Sequence, residues 1–420
     1  MPTRRHRRLV LVSLDWLRPK DPRVSLGHAS LRARLADVPD LEVLAVTCAV
    51  NAPGFDGERL LADILRASRG GADIAIGVYV WNEPVVQWLL PALRRAGFSG
   101  RILLGGPQIS YAPSGIQATY PAADGFIRGY AEEALAAVAA TDAAIVLDGV
   151  SWQRGHDATT PASAELTRLP SAILTGILPI QPFMRWETQR GCIYSCSFCQ
   201  HRESGARLRQ RVLADDRVAN EVDALVAGGA RDIAVLDPIF NANPAATDIL
   251  GRFARKGFRG RLSLQSRFEM VDADFLDACG GLDVRLEFGL QTIHASEMRA
   301  SARMNDLVRT EAVIAELHRR GIAFEVSLIY GLPTQTLASF EASVRWCQER
   351  GVPVIRAFPL MLLRGTALER SRRRWSLVES DDTIPVVVES DSFSRTEWEA
   401  MRALADALPV DDAPRVLGAA

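Results

Sequence analysis

The chain has 420 residues, 48% of them hydrophobic and 24% charged, with a formal net charge of −1 at pH 7. That length exceeds what one core comfortably organises and predicts two domains with appendages. The balanced charge supplies no overall field for nucleic acid or a membrane surface, so neither is an expected partner.

The basic start "RRHRR" is short, and "LVLVSL" behind it is too brief and too soon followed by charge for a signal peptide or a spanning helix. The expectation is a flexible N-terminus that leads into a buried strand of a cytoplasmic protein. Apolar runs at 9–14, 41–46, 72–80, 100–106, 124–129 and 143–149 lack period-two alternation, which fits strands covered on both faces of a parallel sheet. Amphipathic stretches such as "GERLLADILRAS" and "VVQWLLPALRRAG" lie between them. Residues 1–150 are therefore predicted to be a doubly wound, Rossmann-like α/β domain, with its ligand crevice beyond the C-terminal strand ends.

Residues 151–180 are polar and proline-rich and read as a linker or a strap across the domain junction. A second α/β rhythm follows, with strands predicted at 183–189, 232–236, 261–266, 284–288, 323–329 and 354–359. Six βα repeats are too few for a closed eight-stranded barrel, so residues 181–375 are expected to form an open partial (β/α)6 barrel. Residues 376–420 are expected to be a short C-terminal tail with one amphipathic helix, Thr396 and Glu399 supplying its capping box.

The stretch "RGCIYSCSFCQHR" places Cys192, Cys196 and Cys199 directly after the first strand of this second unit. In a reducing compartment such a cluster points to metal rather than disulfides. A structural zinc knuckle would recruit His201 as fourth ligand, but structural zinc favours two close pairs over a triplet. A redox Cys-x-x-Cys pair would leave Cys192 without a role. A closed iron–sulfur cluster, as in an electron carrier, would need a fourth cysteine. Cys48, Cys279 and Cys347 lie in segments that read as buried core. Three thiolates on three irons of a cubane leave one iron open, and an open coordination position marks a reactive site.

The Cys-x3-Cys-x2-Cys spacing, with Phe198 before the third cysteine and a six-fold βα pattern around it, resembles the radical S-adenosylmethionine (SAM) superfamily. "LDPIF" (236–240), "LEFGLQT" (286–292), "LIYGLP" (328–333) and "PLMLLRGT" (359–366) match further strand ends of that family. The resemblance implies a [4Fe-4S] cluster on Cys192, Cys196 and Cys199, with SAM chelated at the open iron. One-electron cleavage then yields a 5′-deoxyadenosyl radical that abstracts hydrogen from substrate. It also implies an electron-donor reductase of flavodoxin or ferredoxin type as partner. By position, Phe198, Asp237, Ser266, Arg267, Glu287 and Gln291 are the expected SAM contacts. "DPIF" departs from the glycine-rich element many members use for the methionine amine.

"VYVWNEP" (78–84), "LLGGPQIS" (103–110) and "GFIRGYAEEAL" (125–135) resemble the cobalamin-binding domain that precedes the radical barrel in one large subclass. This implies cobalamin contacts at Ser13, Tyr79, Trp81, Asn82, Gly105, Gly106, Pro107, Gln108 and Gly129. The Asp-x-His-x-x-Gly motif that ligates cobalt elsewhere is absent, as is common in that subclass. The leading expectation is cobalamin-dependent radical C-methylation of a small-molecule, natural-product substrate. The alternative is a cobalamin-independent radical dehydratase or oxidoreductase acting on a sugar or aminocyclitol in antibiotic biosynthesis. No substrate-recognition signature stands out between residues 360 and 420.

Overall fold

The structure, a computed structural model, describes residues 7–155, 157–158, 160–201 and 210–409. The first five apolar runs become β1 (Arg7–Asp15), β2 (Leu41–Ala49), β3 (Asp73–Gly77), β4 (Ile102–Gly105) and β5 (Gly125–Ile127), with β6 (Val150–Trp152) after them. They form one sheet in the order β2-β1-β3-β4-β5-β6. Every neighbouring pair is parallel except β5 and β6. Connections leave β1 in opposite directions, to β2 on one side and β3 on the other, so the crevice falls at the C-terminal ends of β1 and β3. Val10, Val12, Ile74 and Ile76 pack on one face with Ile64 and Leu89. Leu9, Leu11 and Ala75 pack on the other with Leu35 and Leu135. Burial on both faces explains the apolar runs of β1 and β3, whereas β2, at the sheet edge, is only half-buried.

The run at 143–149 is not a strand. It is a loop in which Val146 is 101% exposed. Gly149 turns the chain at φ 76°, and β6 then forms antiparallel to β5. A Cβ on Gly149 would lie 2.1 Å from the Ala162 nitrogen, so the turn and the segment behind it fit together only around a glycine. That following segment is a packed strap. Ala162 bridges Gly129, and Ala164, Leu166, Leu169, Ala172 and Leu178 are buried in the core of the second unit.

The second unit continues with β7 (Phe183–Trp186), β8 (Gln189–Arg190), β9 (Arg211–Val212), β10 (Asp232–Val235), β11 (Arg261–Ser266), β12 (Asp283–Gln291), β13 (Ala323–Tyr330), β14 (Ile355–Pro359), β15 (Val378–Glu379) and β16 (Val387–Glu389). Strands β7 and β10–β14 make an all-parallel sheet in chain order, and among the described residues β14 does not pair with β7. This is an open partial barrel. Val284, Leu286, Phe288 and Leu290 of β12 are buried in the core, while Asp283, Arg285, Glu287 and Gln291 alternate onto the opposite face.

The first barrel strand is shorter than its apolar run. It stops at Trp186, and β8 pairs antiparallel with β9 instead. The physical cause is Asp237, just past β10. Its fully buried carboxylate accepts the N–H groups of Thr188 (2.7 Å) and Gln189 (3.2 Å), and the Thr188 hydroxyl as well. A side chain thus takes the donors that would continue the ladder. The final helix, Arg395–Asp406, also starts earlier than its predicted box. Ser394 is the N-cap and Glu397 completes the reciprocal bonds. Phe393 and Trp398, both buried, occupy the two positions of a hydrophobic staple, which selects Ser394 over Thr396. Cys279 and Cys347 are buried as expected, whereas Cys48, on the edge strand β2, is half-buried.

Candidate active site

The β8–β9 ribbon closes the base of the loop that carries the three cysteines. Gln189, almost fully buried, donates to the Ile239 carbonyl (2.7 Å) and accepts from Gln210, which pins both sides of that base. Farther out, Ser197 N–H donates to the Ser301 carbonyl (2.8 Å) and Leu368 N–H to the Ser197 carbonyl (2.8 Å), so the loop is stitched to the segments after β12 and β14.

Cys192, Cys196 and Cys199 are free and half-buried. Backbone N–H groups point at two sulfurs, Tyr194 to Cys192 Sγ and His201 to Cys199 Sγ, each at 3.4 Å. Arg303 Nη1 lies 3.6 Å from Cys196 Sγ. Burial raises the Cys192 thiol and pushes Cys199 up to about 11. These thiols become thiolates when a metal supplies the compensating charge. Among the described residues no three His, Cys, Asp or Glu side chains converge as ligands of one ion would.

Arg267 and Arg303 flank the loop. The Arg267 guanidinium lies 3.7 Å from the Tyr194 ring centroid, and it donates to Glu269 (2.8 Å) and to the Met304 carbonyl (2.7 Å). Its Nη1 is buried without a hydrogen-bond partner, as are Arg303 Nε and Gln291 Oε1. Gln291, at φ 69°, sits on the β12 bulge beside Gly289, whose carbonyl accepts from Arg303. Three buried polar atoms without partners thus lie beside one cysteine loop, and such groups suit a polar ligand.

The structure places the other expected SAM contacts as follows. Phe198 packs half-buried against the barrel core. Asp237 is committed to the loop backbone. Ser266 alternates to the core side with Leu262 and Leu264, and its hydroxyl donates to the Leu264 carbonyl. Glu287 lies on the face opposite the core, where burial and then the neighbouring Glu325 push its carboxyl up to about 7.

A cavity of about 920 Å³ runs from the crevice of the first sheet to the cysteine loop. That is near the top of the roughly 300–1,000 Å³ range of small-molecule sites. Ser13, Tyr79, Gly105, Gly106, Pro107 and Gly129 line it on one side; Gly191, Gln200 and His201 line it on the other. Gly105 faces open space, since a Cβ there would meet only the Ile127 carbonyl at 3.7 Å. Gly106 does not. Its Cβ would lie 2.7 Å from the Val78 carbonyl oxygen, so this glycine serves a backbone crossing. Gly129 likewise admits the strap, with Ala162 O at 2.4 Å from its built Cβ. Trp81 stacks on Tyr79 at 4.5 Å and donates to the Leu14 carbonyl. Asn82 is fully buried and ties β1 to β3 through the carbonyls of Leu14 and Gly77. Gln108 donates to Glu83, away from the cavity.

Sequence reasoning missed the residues that hold the two units together here. Arg190, which follows Gln189, pairs with Glu132 of the first unit at 2.7 Å and with Glu187. Burial alone would raise Glu132, but Arg190 and Ser30 more than reverse it and hold the carboxyl below its ordinary value. The Tyr111 hydroxyl donates to the Gln200 carbonyl, one residue past Cys199. Arg303 was missed too, because nothing in the spacing of "ARMND" announces a contact with Cys196. His28, buried on the cavity wall, was missed for the same reason. Its imidazole is pushed down to about 4 by burial and by Arg32, and its Nε2 has no partner among the described residues.

A three-cysteine loop thus follows the first strand of an open parallel barrel. Residues 186–347 match the Radical SAM superfamily. They form a radical SAM domain. The chain is 24% identical over 306 residues to the cobalamin-dependent radical SAM methyltransferase TokK of Streptomyces tokunonensis, covering 66% of this chain and 45% of that protein. It is 23% identical over 371 residues to 2-(S-pantetheinyl)-carbapenam-3-carboxylate methyltransferase of Streptantibioticus cattleyicolor, covering 77% and 54%. The chain thus spans about half the length of these relatives. Among solved structures, the methyltransferase TsrM of Kitasatospora setae with cobalamin and [4Fe-4S] cluster bound superposes with a TM-score of 0.68, at 18% identity over 94% of this chain and 81% of that one. The enzyme OxsB with aqua-cobalamin and SAM bound gives 0.72, at 14% identity over 95% and 66%. At these identities the likeness is one of fold: an N-terminal α/β sheet ahead of the radical SAM domain. No helix among the described residues is long and apolar enough to cross a membrane.

Proposed function

We propose that the chain is a cobalamin-dependent radical SAM enzyme that methylates a carbon of a small-molecule substrate. The observation that carries this reading is the shared cavity. The crevice of the first sheet opens directly onto Gly191, Gln200 and His201 of the cysteine loop, so a cofactor in one faces chemistry in the other. Cys192, Cys196 and Cys199 hold one iron each of a [4Fe-4S] cluster. Arg267 Nη1 suits a carboxylate and Gln291 Oε1 suits an ammonium group, which are the two ends of the methionine moiety of SAM. Gly105 leaves room for a corrin at the sheet end. When bound, the cluster and SAM supply a carbon radical, and the corrin supplies methyl transfer to that carbon. The chain's own part is to hold these groups across one shared cavity. The named relatives, methyltransferases from actinomycete sources, support a natural-product substrate, and the reading includes a separate one-electron donor.

The test uses anaerobically reconstituted protein offered hydroxocobalamin. Corrin bands should remain after desalting. Deuteromethyl-labelled SAM and candidate substrates should then give labelled product, with equal S-adenosylhomocysteine and 5′-deoxyadenosine. Steady 5′-deoxyadenosine release with no label in any product, from protein that retains no corrin, would replace this reading with radical dehydration.

A further inference from the structure

The guanidinium of Arg303 stands between the cysteine loop and the β12 bulge. Nη1 lies 3.6 Å from Cys196 Sγ, Nη2 donates to the Gly289 carbonyl, and Nε is buried without a partner. Among the described residues, the hydrogen bonds to the other two sulfurs come from neutral backbone donors, Tyr194 N–H at Cys192 and His201 N–H at Cys199, and the arginines act on them from farther away. The electrostatics of the three sulfurs are therefore unequal. We propose that Arg303 is a positioning residue that donates a charge-assisted hydrogen bond to the Cys196 thiolate and so biases the bound cluster toward its reduced state. This rests on the reading of the loop as a cluster site.

The physics is direct. Reduction adds one electron to the cluster, [4Fe-4S]2+ to [4Fe-4S]1+, and the electron comes from an external one-electron donor. No proton moves, because a guanidinium stays charged throughout. A fixed positive charge at a ligand sulfur stabilises the more negative state, and hydrogen bonds to sulfur are among the levers that set cluster potentials. Half-burial of Arg303 keeps that charge from being fully screened. The bond to Gly289 fixes the fork, so the charge is held at Cys196 before any ligand arrives.

The experiment is an EPR-monitored redox titration of reconstituted protein without SAM or substrate. Iron and sulfide are quantified in the same samples. Arg303→Met should retain iron and sulfide and shift the midpoint to a more negative potential. Should Arg303→Met fail to assemble a cluster, Arg303→Gln, which keeps a donor but no charge, carries the same test. A charge-free variant with an intact cluster and the wild-type potential overturns the proposal. If wild-type protein itself reconstitutes with zinc rather than iron and sulfide, the reading of the loop fails instead.

Discussion

Asp237 accepts the Thr188 N–H at 2.7 Å, and this bond diverts the chain from the barrel into the cysteine loop. Burial pushes the Asp237 carboxyl up to about 7, against the hydrogen bonds from Thr188 and Gln189. Asp237→Ala leaves two backbone donors unsatisfied in a buried site. Each costs about 1–3 kcal/mol. The variant should unfold at lower denaturant by on the order of 3 kcal/mol. It should also hold less iron after reconstitution, because the loop loses its anchor while its cysteines remain. Full iron content in Asp237→Ala would show that the ribbon alone sets the loop.

The paired glycines separate a fold role from a ligand role. Gly105→Leu adds a side chain that meets little but cavity, so it should melt near wild type and fail to retain cobalamin. Gly106→Ala meets the Val78 backbone at 2.7 Å and requires a residue with a side chain to hold φ 89°. It should be destabilised by about 1–3 kcal/mol whether or not cobalamin is present. Thermal melts with and without the cofactor check both. Cobalamin retained by Gly105→Leu at wild-type affinity would move the corrin away from this strand end.

The contrast explains how far the sequence could be read. Apolar runs located eleven of the twelve strands that they announced, because burial on both faces or on alternate faces leaves a direct trace in hydrophobicity. The cysteine spacing is equally local and stood out at once. What the sequence left illegible came from groups acting at a distance. Val146 sits in an apolar run yet lies in a loop, since the turn at Gly149 is set by its fit to Ala162. Asp237 ends a strand as read, but its backbone partners, Thr188 and Gln189, lie 49 and 48 positions earlier and leave no local trace. Gly106 lines the cavity as expected of a cofactor cradle, and its lack of a side chain also makes room for Val78, which its local sequence does not announce.

Arg364 links the two units. Its guanidinium reaches Glu83 through two contacts of 2.9 and 3.0 Å and donates to the Gln108 carbonyl at 3.0 Å. Arg364→Met leaves Glu83 with Gln108 and Tyr120 as partners, so the loss should be about 2 kcal/mol, below the roughly 3–5 kcal/mol of a fully buried pair. The loss falls on the junction, not on either core. Calorimetry should therefore resolve two transitions in the variant where wild type shows closer coupling. An unchanged thermogram would mean that Arg190 and Glu132 suffice to couple the units.

Glu287 gives a pH dependence whose sign can be worked out. Its carboxyl is pushed up to about 7, by burial first and then by Glu325, with Arg356 and Arg285 opposing and Asp232 adding to the rise. In the unfolded chain it returns to about 4.5. Between these values the folded state binds the extra proton, so folding stability falls as pH rises. The contribution is fully present below about 4.5 and is lost once pH has passed through about 7. Glu287→Gln removes this one slope and leaves Asp237, which shares the direction of shift, in both proteins. Denaturant unfolding of the two proteins across roughly pH 4 to 9 should give curves that meet at the acid end. They should separate as pH climbs, with the variant the more stable of the two above neutrality. Parallel curves would mean that Glu287 is ionised at its ordinary pH in the folded protein, with Arg356 and Arg285 outweighing burial and Glu325.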